Sequence, residues 1–253
     1  MKIFAKTTLL LAASLSLAGC KTDKAAKQAE SVGQLSTPVV APADAGSIRG
    51  VVSFSGKAPE RVKIDMTMDP ACSMTAGTNL SEQYLVTNGK LANVYVYVKN
   101  APASIAPANQ PPVVLDQKGC KYVPHVIAVQ QGGSVKFTNS DPTMHNVHTM
   151  PQANPAVDVS EGPMSGADTK QFTKPETMIP VRCNNHPWMN AFINVAPSPY
   201  FAVTGTDGSF TIQGLPPGTY TLAAVHEKLG EQDVQVVVPA KATAKAVLTF
   251  QAK

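Results

Sequence analysis

Charged residues make up only 15% of this 253-residue chain, which has five histidines, four cysteines and a single tryptophan. No run of Lys and Arg is dense enough to follow a phosphate backbone, which argues against nucleic acid as a partner. After residue 45 there is no amphipathic helical period, and this excludes a helical bundle. No glycine-rich phosphate loop and no nucleophile–base pair stands out, so neither an enzyme nor a small-molecule substrate is expected. His226-Glu227 begins like a zinc-protease motif, but Gly230 occupies the place of the second histidine. Beyond the N-terminal region no apolar run is long enough to span a bilayer.

The N-terminus is apolar in another way. Lys2 and Lys6 precede a short run, Thr7 to Leu17, rich in Leu and Ala. It is too short to cross a membrane and reads as an export signal. Leu17-Ala18-Gly19-Cys20 resembles a bacterial lipobox. That resemblance implies cleavage after residue 19, lipid on Cys20, and an exported protein anchored to a membrane and facing the periplasm or the cell exterior. An ordinary signal peptide with an incidental Cys20 is the alternative. Loss of Lys2 and Lys6 takes the net charge from +4 to about +2. The stretch 20–45 has no aromatic residue and balanced charges, and reads as a flexible tether.

The rest of the chain reads as all-β. Frequent Gly and Pro punctuate Val- and Thr-rich runs. The segment 46–54 alternates polar and apolar residues, and Leu91 to Val98 forms a second strong strand. Later, Asp207-Gly208 marks a hairpin turn, Gly214 to Leu222 contains a rigid turn and a strand, and Gln235–Val238 and Ala246–Phe250 supply two more. The opening G-x-I-x-G-x-V pattern and the later D-G-x-F-x-I and L-P-P-G-x-Y blocks resemble the carboxypeptidase regulatory-like family, a small prealbumin-like β-sandwich. The two blocks lie too far apart for one such module. The resemblance therefore implies that 46–100 and 200–253 form one discontinuous sandwich, with 101–199 inserted into it. Three β segments in series is the alternative. Within the insert, Cys120 to Val129, Ser134 to Asn139, Met178 to Arg182 and Ala191 to Val195 read as strands, and Pro151 to Asp168 as a long surface loop.

The sharpest motif is Cys183-Asn184-Asn185-His186-Pro187-Trp188-Met189, which brings a thiolate, an imidazole and a thioether into one loop. Upstream, His145 follows Asn139 and the strand that it ends. Two His, one Cys and a weak Met suit copper, whereas zinc favours four strong ligands. The pattern resembles the cupredoxins, in particular the amicyanin-like members with a C-x-x-H-x-x-M loop. This implies a cupredoxin Greek-key β-sandwich with one type 1 copper ion, held by His145, Cys183 and His186 and by Met189 axially. It also implies that Asn146 hydrogen-bonds across to the ligand loop. Asn184 stands where many members carry Ser or Thr, and Ile179-Pro180-Val181-Arg182 departs from the usual aromatic-rich strand.

The resemblance implies outer-sphere electron transfer with redox partner proteins. His186 would be the ligand at the solvent edge, with Pro187, Trp188 and Pro142 around it as a docking patch. Copper storage, delivery or sensing is the alternative. Ile179 stands where a binuclear copper site would need a second Cys, and five histidines are too few for a multicopper oxidase. Of the remaining cysteines, Cys72 and Cys120 form an even pair in an oxidising compartment, and a disulfide is expected. Two free buried thiols are the alternative. His148, three residues after His145, should point to the opposite face of its strand. His125 reads as a packed or surface histidine, and Met144 and Met150 as loop packing.

Overall fold

A computed structural model describes residues 41–101, 106–107, 109–166 and 168–252. The export segment, Cys20 and the tether up to residue 40 lie outside the described residues.

Among the described residues the fold is all-β apart from one short helix. It begins with β1 (Gly46–Ser55) and helix α1 (Pro70–Thr75), then β2 (Val86–Thr87), β3 (Lys90–Leu91) and β4 (Tyr95–Val98). The middle supplies β5 (Val113–Gln117), β6 (Tyr122–Val123), β7 (Val126–Gln130), β8 (Ser134–Asn139) and β9 (His145–Thr149). It continues with β10 (Asp158–Glu161), β11 (Asp168–Gln171), β12 (Glu176–Arg182) and β13 (Asn190–Ala196). The last part holds β14 (Phe201–Val203), β15 (Ser209–Leu215), β16 (Gly218–His226), β17 (Gly230–Val238) and β18 (Thr243–Gln251).

These strands form four sheets. One runs β15-β1-β3-β2, with β18 parallel to β1, and a second runs β14-β4-β16-β17. A third runs β10-β9-β12-β13-β7 and a fourth β11-β8-β5-β6. Three apolar layers lie between them. Ile48, Phe210 and Leu248 of the first sheet meet Val96, Leu222 and Val236 of the second. Tyr95, Phe201 and Val225 on the other face of the second sheet meet Val126, Ala128 and Ala196 of the third. Ile127, Ile193 and Val181 of the third meet Leu115, Val135 and Phe137 of the fourth.

This stacking explains why some strands read as continuous apolar runs. In β4, Val96 and Val98 face one core while Tyr95 faces another. In β7, Ile127 and Val129 face one core while Val126 and Ala128 face the next. A period-2 strand covered on both faces needs apolar residues at every position. Each buried Val or Ile among them contributes about 1.5–3 kcal/mol by burial.

Three expectations are corrected. The run from Leu91 to Val98 is two strands in different sheets, broken at Asn93, whose φ is 60°. Asn tolerates this left-handed conformation better than most residues, and Thr204 secures the break. Its Oγ1 accepts from Val94 N (3.0 Å) and donates to Leu91 O (2.9 Å). Asp207-Gly208 is a tight turn but not a hairpin, because β14 pairs with β4 and β15 pairs with β1. The stretch Pro151 to Asp168 is not all loop. It contains β10, which pairs with β9 alone and alternates Asp158, Val159, Ser160 and Glu161. An edge strand that buries few side chains has little apolar period to read.

Between β1 and β2 the chain makes an excursion that lies against one end of the third and fourth sheets. Lys63 and Leu80 form an isolated bridge within it, and Asn79 Nδ2 donates to Gly119 O at 2.6 Å. Cys72 is joined to Cys120 by a disulfide, with an S–S distance of 2.05 Å.

Candidate metal centre

The site lies at that same end. Asn139, the last residue of β8, shapes the loop that precedes His145. Its Oδ1 accepts from Asp141 N (2.9 Å), and its Nδ2 donates to the carbonyls of Thr143 (2.8 Å), Glu161 (3.1 Å) and Gly162 (2.8 Å). β9 then begins with His145, which has no exposed surface. The second part is the turn between β12 and β13, closed by Met189 N donating to His186 O at 2.9 Å. Cys183, His186 and Met189 on this turn are all buried.

The structure brings His145, Cys183 and His186 together. The two Nδ1 atoms are 2.9 Å apart, and Cys183 Sγ is 3.6 Å from His186 Nδ1. Met189 is buried in the same apolar layer as Cys183. Asn146 Oδ1 accepts from Asn184 N at 3.3 Å, a bond that ties β9 to the turn carrying Cys183. The Asn184 side chain faces outward, with Oδ1 3.0 Å from Nδ1 of the half-buried His148.

Both histidines are gripped from behind. His145 Nε2 is 2.9 Å from Asp141 Oδ2, and His186 Nε2 is 2.9 Å from Asp69 Oδ2. Burial opposes both carboxylates. Hydrogen bonds from the imidazoles and from backbone amides outweigh it and hold both pKa values below the ordinary range. Ionised carboxylates draw the imidazole proton to Nε2 and leave Nδ1 as the bare donor. Two bare nitrogens 2.9 Å apart repel each other unless a proton or a cation stands between them. Burial disfavours a charge on His145, but Asp141 and Cys183 raise its pKa to about 9. Burial likewise raises the Cys183 thiol, yet His145 and the amides of Asn146, Asn185 and His186 bring it down to about 7.

These distances fit one ion. Two nitrogens each about 2.0 Å from a metal stand about 2.8–4.0 Å apart, and a nitrogen and a thiolate about 3.0–4.3 Å apart. The observed 2.9 and 3.6 Å lie inside both ranges. Cys72 Sγ is also near, 4.0 Å from His186 Nε2. Its sulfur and that of Cys120 are bonded to each other, so neither is available as a thiolate donor.

One expectation fails here. His186 is not at a solvent edge; it is 4% exposed, covered by Asp69 and Cys72 from the excursion. Pro142 and Pro187 are exposed and Trp188 is half-buried. The indole of Trp188 lies 5.0 Å, centroid to centroid, from the His186 ring, and its Nε1 donates to Cys120 O at 3.2 Å. It also lines a surface hollow of about 340 Å³ beside Ile64, Leu80 and Lys121. His125 is packed rather than exposed, with Nε2 2.5 Å from Glu227 Oε1.

Sequence reasoning missed Asp69, Asp141 and Tyr122. Asp141 stands four residues before His145, a spacing that invites a carboxylate–imidazole contact. Asp69-Pro70 is a helix-start signal, since Asp caps and Pro suits the first turn. Nothing local places that cap on His186. Tyr122 donates its hydroxyl proton to Asn146 O, a contact made only by the fold.

No protein-family model matches the chain, and no curated protein does. Among solved structures, the chain is similar to a copper-containing nitrite reductase from Thermus scotoductus, at 25% identity and a TM-score of 0.32 over 38% of this chain. The match spans 25% of the reductase chain. Amicyanin from Paracoccus versutus matches at 19% identity and a TM-score of 0.29, over 40% of this chain and 96% of its own. A purple cupredoxin from Nitrosopumilus maritimus matches at 18% identity and a TM-score of 0.26, over 33% of this chain and 98% of its own.

Proposed function

We propose that this chain is a cupredoxin-type copper protein that works in outer-sphere electron transfer with protein partners. His145, Cys183 and His186 are its strong ligands and Met189 its weak axial one. The observation that carries this reading is the convergence of two imidazole Nδ1 atoms and one thiolate at a buried point, at 2.9 and 3.6 Å. Copper bound there would supply a one-electron couple, for which two nitrogens, one thiolate and a thioether are a suitable donor set. The chain's own residues hold these donors still. Asn139 fixes the loop before His145, Asn146 ties β9 to the turn carrying Cys183, and the surrounding apolar layer excludes water. Donors that barely move suit both charge states of an ion.

The test is optical. Protein loaded with Cu(II) should show an intense thiolate-to-copper band near the red end of the visible spectrum, and Cys183→Ala should abolish it. A colourless Cu(II) complex of the parent protein overturns the reading.

One observation favours copper storage, delivery or sensing instead. The His186 edge is covered by Asp69 and Cys72. That reading expects the same spectrum with a slow or irreversible couple, so voltammetry separates the two.

We also infer a discontinuous prealbumin-like outer sandwich carrying the copper domain as an insert. It is supported by the membership of β1–β4 and β14–β18 in two sheets and of β5–β13 in the other two. Export and lipid anchoring at Cys20 complete the proposal. Incorporation of labelled palmitate, lost in Cys20→Ser, tests the anchor.

A further inference from the structure

Two aspartates and one disulfide stand behind the two imidazoles in a repeated arrangement. Asp69 Oδ1 accepts from Cys72 N at 3.2 Å, and Asp69 Oδ2 meets His186 Nε2 at 2.9 Å. Asp141 Oδ2 accepts from Cys120 N at 2.8 Å and meets His145 Nε2 at 2.9 Å. Cys72 and Cys120 are bonded to each other. Each carboxylate thus hangs from the amide of one half of the disulfide and holds the distal nitrogen of one histidine. Further bonds fix both carboxylates: Ala71 N (2.7 Å) and Thr143 Oγ1 (3.1 Å) to Asp69, and Gly119 N (2.7 Å) to Asp141.

We propose that Asp69 and Asp141 are paired positioning residues of the metal site, locked into one unit by the Cys72–Cys120 disulfide. The inference rests on the reading of His145 and His186 as ligands. A carboxylate on Nε2 fixes the tautomer and ring orientation of a ligand histidine and makes its other nitrogen a better donor. Here both rings are fixed, so neither can swing away from the ion. The excursion between β1 and β2 is therefore part of the metal site. It delivers Asp69 and Cys72 to a centre whose ligands all lie in the later part of the chain, and it closes the His186 edge to solvent. A site built in this way releases its ion slowly.

Full-length Asp69→Ala and Asp69→Asn variants test this, together with the double variant Cys72→Ser/Cys120→Ser. The Asn variant keeps a good helix cap and the side-chain shape, and removes only the charge. One measurement is the rate at which Cu(I) passes to a strong chelator. The other is nitrogen NMR of the histidine rings in the metal-free and Cu(I) forms, which reports the tautomer directly. Release from Asp69→Ala should be about 10–100-fold faster, with a smaller gain for Asn. The His186 ring should lose its fixed Nε2–H form in the Ala variant while circular dichroism stays unchanged. The double Cys variant should speed release too, and adding Asp69→Ala to it should do less than Asp69→Ala does alone. If the parent binds copper with the expected colour but Asp69→Ala leaves both tautomer and release rate unchanged, this inference fails alone. If the parent takes up no copper, the ligand assignment fails and takes the inference with it.

Discussion

The two halves of the stack solve the same folding problem with different interiors. Between the first two sheets the core is aliphatic and aromatic, with Ile48, Leu91, Leu222 and Phe250 fully or almost fully buried. Between the third and fourth sheets a comparable apolar layer ends in a polar region. There Asn139, Asp141, His145, Asn146 and His186 are as buried as the apolar residues around them. Apolar burial is non-directional, and it stabilises without specifying an orientation. Buried polar groups must be paired to be tolerated, and the pairing fixes geometry. The first half therefore gains stability without orientation, while the polar end of the second fixes the orientation of its side chains.

Large-to-small substitution gives the strongest test of this contrast. Leu222→Ala removes a fully buried side chain from the apolar half and should cost about 2–5 kcal/mol. Asn139→Ala strips the partner from three carbonyls, at about 1–3 kcal/mol for each one that stays buried and unpaired. Both losses should lower the urea midpoint clearly. Their effects on the copper band should differ: Leu222→Ala should leave it in place, while Asn139→Ala should shift or broaden it. A shifted band in Leu222→Ala would mean that the halves are not independent.

The sequence was legible where a feature depends on short spacing. The turn carrying Cys183, His186 and Met189 brings Cys183 Sγ to 3.6 Å from His186 Nδ1, and β8 matches its expected bounds, Ser134–Asn139, because its alternation reflects one buried face. Legibility failed where a feature depends on contacts between distant segments. The covering of His186 is such a feature, because Asp69 arrives from an excursion whose own pattern shows only a helix cap. The break at Asn93 is hidden because a strand buried on both faces stays apolar through a change of sheet. β10 is hidden for the opposite reason, having too little burial to impose a period.

Acid should separate the halves next. His226, in the apolar half, has its pKa lowered to about 4 by burial, from 6.5. The unfolded chain then binds a proton that the folded chain refuses, so stability is lost as pH falls from about 6.5 to 4. The loss is about 3 kcal/mol at most. In the metal-free site two opposite effects meet. His145, raised to about 9, contributes stability that is present below 6.5 and lost as pH rises to 9. Cys183, lowered to about 7 from 9.0, contributes stability that grows over pH 7 to 9. Their slopes cancel, so urea midpoints of the metal-free protein should fall below pH 6.5 and stay nearly level between 7 and 9. His226→Gln should lessen the acid loss alone. A steep fall between pH 7 and 9 would show that the thiolate and imidazolium do not form together.

Glycine gives the finest test, since both halves use it in left-handed turns. Gly208 has φ +69°, and a Cβ there would meet Val52 O at 2.4 Å, a backbone atom that cannot swing aside. Gly119 has φ +64°, but a Cβ there would meet nothing within 4 Å. Gly208→Ala should therefore carry both a steric and a conformational penalty, about 1–3 kcal/mol. Gly119→Ala should carry the conformational one alone, about 1 kcal/mol. Gly119→Asn should recover part of that, because Asn accepts this conformation more readily. The amide of Gly119 that donates to Asp141 survives each change, so the copper band should stay where it is. Equal urea midpoints for the two Ala variants would mean that the turn carrying Gly119 is packed as tightly as the one between β14 and β15, and that its openness to a side chain is not real.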